Sequence, residues 1–378
     1  MKRVLIFVLA VLLVLTCGCA KSPEVMETLP PTEPTTLPTE PPTEAPTQAP
    51  TEPPVVKTVN PLTGEPIDAL TTNRTYAVAF NNSYAAMPQH GVSQADILYE
   101  MLIEGETRCM GIFYDLSKAT EPLGSIRSAR RDFIRVAMAY DAIFVHKGLS
   151  PKQGTEYDKY SAEVTFQQTG WEHLDGNGNS EFFYQTRYNY AAEHRTFIKP
   201  ENVIAYAQRK NLKTTREASL DVGLTFDDEA FFVGEAAGSV KIWFNMTKDA
   251  SEKWHKYTAM TYNEETGLYE AKQKHSGYSS VNAYVDGNTG EVLSFRNVLV
   301  LRTHNEELKN PNKWMKIDVV GSGEGYFACN GQIIPIKWSR ASESDPYTYT
   351  LENGKPITLG VGKTYIAIIP TTGVVSYN

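Results

Sequence analysis

The stretch GSIRSARRDFIRVAMAYDAIFVHKGLSP, residues 124–151, places Arg127, Arg130, Arg131 and Arg135 within nine positions and ends its apolar run on His146. Guanidinium forks hold carboxylates and phosphates through paired charge-assisted hydrogen bonds. Read as a helix capped by Ser125 or Ser128 and running to Ala139, the stretch puts Arg127, Arg131 and Arg135 on one stripe. Positive charge at a helix start opposes the macrodipole, so something negative is required nearby. Just upstream, ILYEMLIEGETR supplies Glu100, Glu104, Glu106 and Arg108.

Three chemistries fit these residues. The arginines pair with the protein's own glutamates. Alternatively, Arg127 and Arg130 form a ligand site for an anion, with Arg108, Arg131, His146 and His194 as further binding candidates. The third is catalytic: strand alternation sets Glu100 and Glu104 on one face, and a pair of carboxylates on one face can serve glycosidic cleavage, with His146 beside them. A strand reading E-x-x-x-E is a weak signal, and the sequence holds no GxSxG elbow, S-x-x-K or Cys/His pair that marks a nucleophile. GSGEGY (321–326) precedes a strand rather than a helix and reads as a turn, not a phosphate loop. Tyr157, Tyr160, Trp171, Tyr184, Tyr188 and Tyr190 lie in a loop-rich stretch and are candidates for exposed aromatic contacts.

The segments that carry these residues are ordered along the chain. Met1-Lys2-Arg3 followed by Val4–Leu15 has the form of a signal peptide, residues 1–19, and Gly18-Cys19 resembles a lipobox that makes Cys19 the lipidated N-terminus. Residues 20–57 form a Pro/Thr/Glu-rich tether: Pro23 to Pro54 holds 11 of the 22 prolines. Proline favours extended polyproline II, and at ~3.1 Å per residue the tether reaches about 100 Å. Beyond it, residues 58–378 are long enough for two domains. Residues 58–215 mix strands (75–80, 95–115 as a hairpin, 141–146) with helices, the second starting at Pro200, and residues 150–195 read as loops with short strands. Residues 220–378 read as short β-runs separated by turn signals, including Asn330-Gly331 and Asn353-Gly354. The expected class is α+β: a mixed α/β first domain, then a mostly antiparallel β second domain.

Composition narrows the partners. The chain carries a net −8, and removing the first 57 residues takes away four basic and six acidic side chains, leaving −6. Nonspecific nucleic-acid binding, which needs a basic face, is not expected. Cys109 and Cys329 sit in apolar, strand-like surroundings and are expected as buried free thiols rather than a bridge. With no CxxC, HExxH or Cys/His cluster, neither a metal nor a cofactor is expected.

NPLTG (60–64), HGVSQADILYEMLIEGETRCMGIF, the arginine run, GSGEGYFACNGQIIPIKWSR and GKTYIAIIP together resemble the YerB-type bacterial lipoproteins. Those proteins carry two successive domains of unknown function behind a lipoprotein signal. The resemblance spans nearly all of residues 58–378. It departs at Arg131-Asp132, where the family usually has a proline, and at Gly105-Glu106, where it usually has a glycine pair. It implies anchoring at the extracytoplasmic face of a Gram-positive cell membrane and a two-domain layout, and it supplies no reaction. The function expected is a head that binds a cell-wall component (peptidoglycan or an anionic wall polymer) or a wall-synthesis protein. The alternative is a wall-active hydrolase or transferase that uses the paired glutamates.

Overall fold

The computed structural model describes residues 58–229, 232–245 and 254–378. The signal peptide, Cys19 and the tether lie outside the described residues.

An eleven-stranded mixed sheet runs through the molecule. Its first-half strands are β1 (Tyr76–Asn81), β2 (Ile97–Leu102) and β3 (Thr107–Phe113), followed by Ile143–His146 and His173–Asp175. β2 and β3 are the two arms of the expected hairpin, paired antiparallel from Ile97↔Ile112 to Leu102↔Thr107. The second half adds Asn297–Thr303, Gly321–Cys329, Gln332–Arg340 and Thr364–Pro370 to the same sheet. The joint is Thr364–Pro370, which pairs parallel with both β2 and Asn297–Thr303. Residues from both halves therefore share one continuous hydrogen-bonded surface.

Each central strand is buried on both faces, as expected for strands inside a covered sheet. Val78, Phe80, Leu98 and Tyr365 point to one face, where they meet Val240, Met260 and Tyr269 of a second, antiparallel sheet. Ala77, Tyr99, Met110 and Ile366 point to the other face, which is covered by helix α1 (Arg131–Met138) and helix α2 (Ala162–Thr169). Helix α3 (Pro200–Arg209) has its proline in the first turn and buries Val203, Tyr206 and Ala207 in the first of these cores. The α+β class and the β-rich second half are as the sequence indicates.

Four local readings are corrected. Helix α1 starts at Arg131 with Arg130 at its N-cap, and no side chain caps it; neither Ser125 nor Ser128 does so. Arg127 thus precedes the helix and shares no helical stripe with Arg131 and Arg135. The stretch 150–195 contains α2, whose start is fixed by Ser161 Oγ accepting from the Val164 N–H at 3.0 Å. GSGEGY is the opening of the strand Gly321–Cys329 rather than a turn. The turn behind it is Asn330-Gly331, both with positive φ, which joins Gly321–Cys329 to Gln332–Arg340. Cys109 and Cys329 are free and buried.

Candidate functional site

β1 runs parallel to Ile143–His146, which runs parallel to His173–Asp175, and β2 shares their direction because β3 is antiparallel to both β1 and β2. The carboxyl ends of these strands therefore lie along one edge of the sheet. In open α/β sheets this edge is where ligands bind, because loops and helix starts converge there. Arg108 enters the same edge from the start of β3, opposite Asn81 of β1 and Met101 of β2. The turn with Glu104, the segment 124–130, Lys147-Gly148 and His194 complete the edge.

The arginines of the run divide into two groups. Arg130 grips Glu104 with a fork, Nε to Oε1 at 2.6 Å and Nη2 to Oε2 at 3.0 Å. Arg131 lies 3.3 Å from Asp132 and over the ring of Tyr160. Arg135 meets Asp132 at 3.5 Å and pairs with Glu343. These three are neutralised internally. Arg108 and Arg127 have no carboxylate within salt-bridge distance among the described residues. Arg108 is 4 % exposed, donates from Nη1 to the Ser128 carbonyl at 2.6 Å, and leaves Nε without a partner. Arg127 is half-buried, and its Nε is also unpartnered. Nearby, the buried Ser125 hydroxyl has no partner either.

Electrostatics mark the same pair. Burial, and then the neighbouring Arg130, push Arg108 well below the ordinary guanidinium value, while Glu104 and Glu106 pull it back up. Burial also lowers Arg127, with Glu193 as the main opposing charge. A guanidinium remains charged in proteins, so both shifts describe positive charge held where it lacks a close counter-charge.

The histidines are held neutral. Asn81 Oδ1 accepts from the backbone N–H and hydroxyl of Ser83, which turns its Nδ2 toward His194 Nδ1 at 2.8 Å. His194 therefore accepts at Nδ1, and burial lowers its affinity for a second proton. His146 is fully buried and faces the Gly148 carbonyl with Nδ1 at 2.7 Å and His173 Nδ1 with Nε2 at 2.9 Å. It must donate from Nδ1 and accept at Nε2, and burial pushes it down to about 4. His146 supports the edge from inside the fold and presents no face to a ligand. Lys147, half-buried, donates to Thr196 Oγ1 at 2.7 Å.

The two glutamates of the catalytic reading do not meet. Glu104 is in the turn after β2, at the edge. Glu100 is wholly buried in mid-strand and faces the second sheet, where it lies 3.1 Å from Lys256 Nζ. Asn82, Thr107, Thr258 and Tyr365 also donate to it. Burial works to raise its pKa, but Lys256 and the hydroxyl donors win and hold it below the usual carboxylate range. No sequence spacing pointed to Lys256. Among the aromatics of the loop stretch, Tyr188 is 69 % exposed, whereas Trp171 donates its indole N–H to the Ala142 carbonyl at 2.8 Å.

A cavity of about 500 Å³ opens at the amino ends of the strands, lined by Ile67, Leu70, Asp96, Tyr114, Asp115 and Lys118. It is larger than the opening of about 10 Å³ beside Arg130 and Arg131, yet its carboxylate is already occupied: Asp96 accepts from Asn60 Nδ2 and the Tyr114 N–H. The arginine edge, with its partnerless donors, is the stronger candidate. Among the described residues no group of acidic, histidine and cysteine side chains is arranged to hold a metal ion.

Known proteins resemble this chain in sequence and in fold. The family described as "Protein of unknown function (DUF3048) N-terminal domain" matches residues 62–213, and "Protein of unknown function (DUF3048) C-terminal domain" matches 247–366. The chain is 26% identical over 317 residues to "Putative lipoprotein YerB" of Bacillus subtilis (strain 168), covering 82% of this chain and 86% of that protein. The crystal structure of the YerB protein from Bacillus subtilis has the same fold, with a TM-score of 0.67 at 23% identity, over 85% of this chain and 100% of that one.

Proposed function

We propose, starting from a chain that belongs to the DUF3048 family of YerB-type lipoproteins, that it is anchored through Cys19 to the extracytoplasmic face of the cell membrane and binds an anionic cell-wall component at the carboxyl edge of its sheet. The observation that carries this reading is the pair Arg108 and Arg127, whose Nε groups are buried and unpartnered while Arg130, Arg131 and Arg135 are neutralised by the protein's own carboxylates. A phosphate or carboxylate accepting from these donors satisfies groups that otherwise stay both charged and desolvated. The same donors suit an acidic side chain of a wall-synthesis protein, which is the second occupant to test. The reading needs no chemistry at the site: Glu104 is committed to Arg130, and Glu100 is sealed between the sheets.

The experiment is co-sedimentation of the lipid-free head, residues 58–378, with purified Gram-positive cell walls. Arg127→Ala is expected to weaken binding about tenfold or more, the worth of a charge-assisted hydrogen bond. Arg135→Ala, which removes an internally paired arginine, is expected to leave binding within about twofold. Equal binding by wild type and Arg127→Ala would remove the site. Release of soluble wall fragments by the wild type, lost with Glu104→Gln, would establish a hydrolase instead.

A further inference from the structure

A concentrated polar cluster lies between the two sheets, on residues that adjoin the arginine edge in the chain. Asn82 follows β1, Glu100 is in mid-β2, and Lys256 precedes the strand Tyr257–Asn263 of the second sheet. All three are within 1 % of full burial. Lys256 Nζ is 3.1 Å from Glu100 Oε1, and Asn82 Nδ2 donates to that same oxygen at 3.0 Å. The amine and the amide are therefore no further apart than two contacts through one atom. Lys256 Nζ makes no aligned hydrogen bond among the described residues, an unusual state for an ammonium removed from water. On the other side of the amide, Gln89 Nε2 donates to Asn82 Oδ1 at 3.3 Å, and Gln89 is itself fully buried.

This is a nucleophile, a proton carrier 3.1 Å from the amine and hydrogen-bonded to the amide, and a donor aimed at the oxygen of an acyl group. We infer that the site modifies itself: Lys256 Nζ is acylated by the Asn82 side chain, giving an intramolecular isopeptide bond between the two sheets. The ammonium first gives a proton to Glu100, and the free amine attacks Asn82 Cγ. Charge develops on Oδ1, where Gln89 N–H faces it. The new C–N bond forms and the Cγ–Nδ2 bond breaks. Glu100 relays two protons in turn from the lysine nitrogen to the departing Nδ2, which leaves as ammonium. Glu100 ends as the carboxylate it began as, total charge is unchanged, and no oxidant or cofactor is consumed.

Two features of the cluster make the step feasible. Burial excludes the water that would otherwise compete for the acyl carbon, and fixed neighbours replace a bimolecular encounter. The hydroxyls of Thr107, Thr258 and Tyr365 also donate to Glu100 and weaken it as a base. That slows the reaction, but a bond made once in the life of each molecule needs no fast turnover.

The test is peptide mapping of the full-length folded protein after denaturation and proteolysis. The expected product is a branched peptide whose mass equals the peptides bearing Asn82 and Lys256 less one ammonia. It should be absent from Lys256→Arg and Glu100→Gln. Recovery of the two peptides separately, at full mass, from folded wild-type protein overturns the inference without reference to any variant. A branched peptide that persists in a folded Glu100→Gln protein overturns the role given to Glu100. If that variant does not fold, Gln89→Leu tests the carbonyl donor: formation of the bond should slow at least tenfold, and an unchanged rate overturns that part of the assignment.

Discussion

At the scale of single residues, the fold spends its charges unevenly. His146 is the clearest case, because its tautomer is fixed on both sides and its burial pushes it down to about 4. An unfolded histidine titrates near 6.5, so below that value the unfolded chain binds a proton that the native state refuses. His146 therefore contributes stability that is complete above about pH 6.5 and is lost as the pH falls toward 4, with a ceiling of roughly 3 kcal/mol. Asp175 offsets part of this and His173 adds to it. Chemical denaturation at pH 7.5 and pH 4.5 should show a smaller acid loss for His146→Asn than for wild type, although the variant starts less stable. Parallel losses in the two proteins would exclude His146 as the source. Part of this scale was legible in advance. A glutamate-bearing turn beside an arginine-bearing helix start suggests an internal pair, and Arg130 with Glu104 is one. The partner of Glu100 was not legible, because a strand's alternation says which face a side chain takes but not which distant segment covers that face.

At the scale of elements, hairpins announced themselves and short helices did not. β2 and β3 were readable from two apolar runs around Glu-Gly-Glu, and Asn330-Gly331 marked its turn through the left-handed conformation that asparagine and glycine tolerate. Helix α2 is hidden: AEVTFQQT contains β-branched residues and is flanked by tyrosine and serine before it and glycine and tryptophan after it. Its propensity is weak, and its existence depends on burying Ala162, Val164 and Phe166, a tertiary fact. The cap at Ser161 should then matter more than in a strong helix. Ser161→Ala is expected to cost about 1–2 kcal/mol in urea denaturation. The adjacent Ser150–Ala162 contact, Ser150 Oγ accepting from the Ala162 N–H at 2.7 Å, would remain. A loss below about 0.3 kcal/mol would mean that this second bond, not the cap, holds the helix start. The start of α1 escapes the sequence for a related reason. Serines upstream of an arginine run look like caps, but Ser125 and Ser128 belong to an extended segment that runs along β1 and contributes its backbone to the edge.

At the scale of the whole molecule, the seam in the large sheet is the feature with the widest reach. Thr364–Pro370 sits between β2 and Asn297–Thr303, so a strand from near the end of the sequence is hydrogen-bonded to one from near the start of the head. Neither half of the sheet is closed until that strand arrives. The sequence showed GKTYIAII as a strand, but order along the chain could not reveal that it is central. A chain ending before Thr364 would leave two long apolar strand edges bare, and such edges recruit any available strand, including those of other copies. The expected result is that this truncation yields sedimenting aggregate rather than a soluble first half; a monomeric, cooperatively unfolding product would show that the halves are independent. For the intact chain the same seam sets a race. Pairings so distant in sequence form slowly, and throughout that interval self-association competes with completion of the fold, so refolding yield should fall as protein concentration rises.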